Sequence, residues 1–219
     1  MLIDLHCHTK YSGDNNLEPV DLIRMARERG LDAICVTEHD SFCASEPVAR
    51  IAEKENFLVL RGVEINTDKG HTLSFGLIDD SWKTDSGYYS RMESVRPKVK
   101  ACGGILIPAH PFRVVGAASA SDGLFAMNYI TALEVLNGEN KEHENNQAIK
   151  AWERLRIPGT AGSDCHFASE VGRCATWFEK SVATVADLIK EIRAGRVAPA
   201  RLQPDGTYHR LSLPGKTAR

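Results

Sequence analysis

Short apolar runs alternate with amphipathic stretches along the whole chain, and few architectures can bury such a pattern. Strands are expected at Leu2–His6, Leu31–Val36, Phe57–Glu64, His71–Ile78, Ile105–Ala109, Ala132–Leu136, Gly159–Gly162 and Cys174–Phe178. Helices are expected at Glu18–Arg29, Ala44–Glu55, Arg91–Cys102 and Glu139–Arg154, with a last one opening on the capping box Thr184-x-x-Asp187 and closing at Gly195. Asp68-Lys69-Gly70 reads as the turn of a hairpin-like excursion. The strands are apolar on both alternations, as when helices cover one side and packed side chains the other. The class is therefore α/β, and periodicity alone leaves a barrel and an open parallel sheet equally available. At 219 residues one domain is expected, over 1–202, followed by a loose C-terminal tail at 203–219.

Composition limits the partners. Lys+Arg 27 against Asp+Glu 29 gives a net charge of −2, so there is no bulk electrostatic case for a stable nucleic-acid complex or an anionic membrane. No apolar run approaches the ~20 residues of a transmembrane helix. The six cysteines form no Cys-x-x-Cys pair and no secretory leader is recognisable, which suits reduced, buried thiols in a cytoplasmic protein. No oligomeric state is assigned.

The histidines and carboxylates carry the functional signal. His6 and His8 end the first strand two residues apart, so both project from one face of an extended backbone. His39 follows the second strand, Glu64 ends the third, His71 opens the next and His110 ends Ile105–Ala109. Asp164 and His166 follow Gly159–Gly162, again two apart. Six of the eight histidines belong to this set. Any one of them alone reads as an ordinary surface or hydrogen-bonded residue, but chance does not place six at successive strand ends. Active sites of α/β barrels form at that end. Neutral imidazoles and carboxylates converging there make a multinuclear transition-metal site. Cys7 and Cys165 lie between paired ligands, and the strand alternation turns both away from the metals.

Leu5-His6-Cys7-His8-Thr9, Thr37-Glu38-His39-Asp40, Gly62-Val63-Glu64, Ala109-His110-Pro111-Phe112 and Gly162-Ser163-Asp164-Cys165-His166 together resemble the ordered motifs of the PHP (polymerase and histidinol phosphatase) metal-dependent phosphoesterases. The resemblance runs from about Leu2 to about Ala200. It implies a distorted TIM-like (β/α)7 barrel holding two or three divalent transition-metal ions, Zn, Mn or Fe. Carried over by position, one ion is held by His6, His8, Glu64 and Asp164. A second shares Glu64 as a bridge and takes His71 and His110, and a third takes Asp14, His39 and His166. Asp14 stands where some members carry His.

The charges agree with phosphate chemistry. Glu64 and Asp164 contribute −2 and two divalent ions +4, leaving about +2 for a dianionic phosphate. Such ions polarise phosphoryl oxygens, and the expected nucleophile is a metal-bound hydroxide. His39 or His166 as general acid is the competing role for the third group. Arg113 is a candidate for bidentate phosphate binding at the start of a loop, and Arg173 is a second. Trp82, Tyr88 and Tyr89 are placed to stack on a base or to pack their loop. The expected substrate is a small phosphate ester: a phosphomonoester, a nucleotide, a nucleoside bisphosphate, histidinol phosphate or the end of a short oligonucleotide. Two other classes remain, a related barrel hydrolase of amides or lactones and a non-catalytic metal-binding regulatory module.

Overall fold

The fold was analysed in a computed structural model, which describes residues 1–83, 89–114 and 119–214. Strand β1 (Leu2–Cys7) pairs in parallel with β2 (Ala33–Val36), and β2 with β3 (Leu58–Arg61). Their crossovers are α1 (Pro19–Glu28) and α2 (Glu46–Glu55). In α1, Pro19 opens the first turn and Leu22, Ile23 and Ala26 share the buried face, as the spacing predicts. The two helices cover Ile34, Val36, Cys7 and Cys165 from outside. Both cysteines thus pack away from the histidines that flank them.

The expected third strand, Phe57–Glu64, breaks into two. Gly62 sits where a Cβ would stand 2.6 Å from the Phe75 ring, so only glycine lets the chain pass, and Glu64 becomes the second residue of a new strand. That strand, β4 (Val63–Thr67), turns through Asp68-Lys69-Gly70 into antiparallel β5 (Gly70–Phe75). After α3 (Met92–Ala101) the chain adds β6 (Ile105–Pro108), antiparallel to β5. Next come β7 (Leu133–Asn137), α4 (Glu142–Leu155) and β8 (Gly159–Gly162), with β7 and β8 parallel. Then β9 (Cys174–Phe178), α5 (Val185–Arg193) and β10 (Val197–Leu202) bring the chain back beside β1.

The fold is mixed α/β. Among the described residues the strands join three sheets, ordered β11-β10-β9-β1-β2-β3, β4-β5-β6 and β7-β8, where β11 is Tyr208–Arg210. A single closed seven-stranded ring is not what the hydrogen bonds describe. The short turn at Asp68–Gly70 reverses the chain, and β9 to β11 run antiparallel, so among the described strands parallel ladders are confined to β1-β2-β3 and β7-β8. The expected loose tail is also revised, since Gln203–Thr207 close a hairpin and the Tyr208 hydroxyl donates to Gly172 O at 2.7 Å. Isolated bridges Cys7↔Cys165 and His39↔Glu64 stitch the three sheets at one end. Ile3, Leu5, Leu73, Phe75, Ile105, Ile107 and Phe178 fill the space between them, and α5 contributes Leu188, Ile189 and Ile192.

Candidate metal centre

The stitched end is where the histidines collect. His6 and His8 come from the end of β1, Glu64 from the start of β4 and His71 from the start of β5. Because β5 runs antiparallel to β4, its amino end reaches the same mouth that parallel strands reach with their carboxyl ends. His110 follows β6, and Asp164 follows β8. Both adopt left-handed backbone, with φ of 28° and 56°, as does Asp40 at 51°. Three such residues at one mouth are held there against their local preference.

The deepest group is His6, His8, Glu64 and Asp164, all buried. His6 Nε2 and His8 Nε2 lie 3.0 Å apart. Both lie 3.2–3.3 Å from Glu64 Oε2 and 3.3 Å from Asp164 Oδ1. A tetrahedral ion with bonds of ~2.0–2.1 Å has donor–donor edges of about 3.3 Å. The tautomers agree with such a cation. His6 Nδ1 donates to Glu134 Oε1 at 2.9 Å, and His8 Nδ1 donates to Ser12 Oγ at 3.0 Å. Ser12 cannot donate in return, because its own proton goes to Glu38 Oε2. With both rings neutral, as a metal ligand requires, both Nε2 atoms therefore bear lone pairs, and they face each other and two carboxylate oxygens. Glu64 Oε2 is fully buried with no hydrogen bond of acceptable geometry. Four lone-pair atoms turned on one point without a donor fit a metal ion and little else.

The other oxygen, Glu64 Oε1, lies 2.8 Å from His71 Nδ1 and 2.9 Å from His110 Nε2. A third group sits at the mouth, where Asp14 Oδ2 lies 3.0 Å from His39 Nε2 and 3.1 Å from His166 Nε2. These side chains are a quarter or more exposed, against almost nothing for the deep four. His39 also places Nδ1 3.0 Å from Glu64 Oε2, so it touches two groups where the sequence assigned it to one. His39, Glu64 and His71 can converge as a ligand trio, as can His8, His39 and His166.

Electrostatics follow the carboxylates. Burial alone would raise Glu64 and Asp164, but His6 and the surrounding imidazoles hold both well below the usual carboxylate range. His39 is pulled the other way. Burial disfavours its charge, yet the Asp14 and Glu64 carboxylates, each 3.0 Å from one ring nitrogen, push it up to about 10. The mouth thus carries an ionised acidic centre that draws cations.

Arg113 lies against the centre, where Nη2 forms an ion pair with Asp164 Oδ2 and Nη1 is 3.4 Å from Asn137 Oδ1. Expected as a free phosphate ligand, it touches a metal-ligand candidate in this state. Arg173 is paired with Glu139 at 2.8 Å. Trp82 is 1% exposed and packs with Phe42, Val63 and Ile65, so the expected stacking on a base gives way to its packing alternative. Tyr88 lies outside the described residues.

Sequence reasoning missed the buried supports. Glu38 accepts from Thr9 and Ser12 and so orients His8. Asp4 accepts from Ser163 N at 2.8 Å and Gly172 N at 3.1 Å, and burial raises it to about 6. Glu134 holds His6. Their signal was a carboxylate within an apolar run, Ile3-Asp4-Leu5 and Leu133-Glu134-Val135.

Residues 142–197 match the PHP-associated family PHP_C. The five motifs that resemble this family supply the side chains that meet at the mouth. The PHP_C match covers about a quarter of the chain, and over it the chain is similar to PHP proteins. Among solved structures, the chain is similar to a lesion-specific endonuclease from Pyrococcus furiosus, 19% identical over 93% of this chain and 59% of that one, with a TM-score of 0.66. A protein assigned as a metal-dependent phosphoesterase from Bifidobacterium adolescentis is 17% identical over 94% and 98%, with a TM-score of 0.57. An amidohydrolase from Chromobacterium violaceum, with sulfate bound, is 16% identical over 94% and 99%, with a TM-score of 0.65. Such distant likenesses speak to the fold, and their differing chemistries leave the substrate of this protein to be argued from its site.

Proposed function

We propose that this protein is a PHP-type metal-dependent phosphoesterase of small phosphate esters. The observation that carries the reading is the convergence of four lone-pair atoms, from His6, His8, Glu64 and Asp164, on one buried point. Divalent ions would be held by His6, His8, Glu64 and Asp164, by Glu64, His71 and His110, and by Asp14, His39 and His166; the first set converges on one point, while His39 also joins Glu64 and His71. When bound, such ions polarise phosphoryl oxygens and lower the pKa of coordinated water. The chain does the rest. Glu64 presents both oxygens and spaces the two deeper groups. His39 and Asp14 sit at the exposed mouth where a leaving group departs, and with Arg113 they surround an incoming phosphate. No side chain is needed as a covalent nucleophile, and the cysteines nearest the centre are turned away. Likeness to a phosphoesterase and to an endonuclease supports phosphate-ester substrates, including nucleotides and short oligonucleotides.

A phosphate-release screen across mono- and bisphosphate metabolites, with Mn²⁺, Zn²⁺ and Fe²⁺ supplied separately, tests the proposal. Turnover of at least one ester that disappears with chelator is expected. Likeness to an amidohydrolase favours a second reading, hydrolysis of amides or lactones at the same centre. A panel that yields amine or acid but never phosphate replaces the first reading with the second. Failure on every substrate by metal-loaded protein points to a regulatory binding module.

A further inference from the structure

Glu134 is an unusual residue for a central strand. It lies within β7, 1% exposed, among Leu133, Val135 and Leu136. Its two oxygens receive three hydrogen bonds: Oε1 from His6 Nδ1 at 2.9 Å, Oε2 from the His110 backbone N–H at 2.6 Å and from Asn137 Nδ2 at 3.0 Å. All three partners are donors. An ionised carboxylate only accepts, so it satisfies the whole set.

The first bond has a consequence at the far side of the ring. In the neutral ring, donation to Glu134 fixes the His6 proton on Nδ1 and leaves the lone pair on Nε2. That nitrogen faces His8, Glu64 and Asp164. The second bond anchors the His110 turn, whose φ of 28° needs support. The third continues through Asn137, whose Nδ2 also donates to Asp164 Oδ2 at 3.2 Å. One buried carboxylate thus reaches three strand ends that carry candidate ligands.

We infer that Glu134 is a positioning residue that selects which nitrogen of His6 presents its lone pair to the centre and ties the His110 turn to the same anchor. The inference rests on the metal-centre reading above and deepens it. The isosteric change Glu134→Gln isolates the effect. Glutamine has one accepting oxygen and one NH₂ group. The His110 backbone N–H cannot reverse its polarity, so the oxygen stays on that side. The NH₂ then points at His6 Nδ1 and can only donate. Nδ1 becomes the acceptor, and the proton moves to Nε2, where it points into the ligand cluster.

The test uses histidine labelled with ¹⁵N, read by long-range ¹H–¹⁵N correlation in metal-free protein at a pH where the His6 ring is neutral, and after loading with zinc. Wild type is expected to show Nδ1–H at His6 in both states. In Glu134→Gln the metal-free ring is expected to switch to Nε2–H, and zinc affinity at the deep group, measured by chelator competition, to fall by about 10–100-fold. Glu134→Asp keeps two accepting oxygens, so the Nδ1–H tautomer is expected to return. A merely structural Glu134 would lower the melting temperature of Glu134→Gln and leave tautomer and zinc affinity alone, which overturns the inference. If Glu134→Gln does not fold, wild type still decides, because an Nε2–H tautomer at its His6 overturns it equally. If wild type takes up no zinc, the metal reading fails, while the tautomer measurement judges Glu134 independently.

Discussion

Replacing Glu64 by glutamine keeps the shape of the side chain and removes one charge from the middle of five imidazoles. His71 and His110 touch Oε1, and His6, His8 and His39 approach Oε2 within 3.3 Å. The residue is fully buried, so no solvent replaces the lost charge. Removing one partner of a buried charged cluster costs about 3–5 kcal/mol. At about 1.4 kcal/mol per decade, a loss of that size in binding weakens each affected ion by roughly 10²- to 4 × 10³-fold. Both oxygens are engaged, so the two deeper groups should lose affinity together. The Asp14, His39 and His166 group keeps its own carboxylate and should keep its ion. The assay is metal content by mass spectrometry after equilibration against a chelator buffer, with phosphate release and circular dichroism on the same sample. Expected are a folded protein, loss of most activity and loss of two of three ions. Wild-type turnover with full metal content in folded Glu64→Gln refutes the bridging argument.

Asp14→Ala should remove only the outer ion, so anomalous scattering from metal-saturated crystals should show three peaks in wild type and two in the variant. Two peaks in wild type would instead assign His39 and His166 to proton transfer. Arg113→Ala should raise KM more than it lowers kcat, by about tenfold, because a phosphate contact made equally in ground and transition states changes binding alone. Freed from the guanidinium, Asp164 should hold metal at least as well, and falling metal content in this variant would show that Arg113 positions Asp164 instead. Metal-free protein should lose stability as pH rises between 6.5 and about 10, measured as the melting temperature, because the His39 contribution is complete below its unfolded value of 6.5 and vanishes through its raised folded value. The added stabilisation by zinc should run the other way and grow with pH, since binding displaces protons from the ligands; parallel pH profiles of the two forms would contradict this.

The convergence of the candidate ligands was legible because it depends on short-range geometry. His6 with His8, and Asp164 with His166, need only an extended segment that ends, and the apolar runs before them mark where it ends. Strand β8 and strand β9 coincide with the runs read from the sequence, since each is bounded by turn residues. The break at Gly62 was not legible, because its cause is the ring of Phe75 in a different strand. The hairpin of β10 and β11 was missed for a similar reason. Its residues have little periodicity, and they are held by Gly172 and by the edge of β9, which lie far away in sequence.

The supports of the centre show the limit more sharply. Glu38, Asp4 and Glu134 are carboxylates in or beside apolar strands, a placement that costs free energy unless several donors meet each one. Sequence displays the cost, a charge where the pattern calls for an apolar side chain, but the compensation only appears once β1, β6, β7 and β8 are brought together. The same reasoning separates the two layers of the site. Asp14, in the loop beyond Ser12 and 39% exposed, is reached by solvent, so a different ligand type can stand there at small cost. A buried carboxylate that answers donors from three strands has no such freedom, since any neutral replacement leaves one donor facing another. Tolerance to substitution should therefore fall from Asp14 through His39 to Glu64 and Glu134, following depth and not distance along the chain.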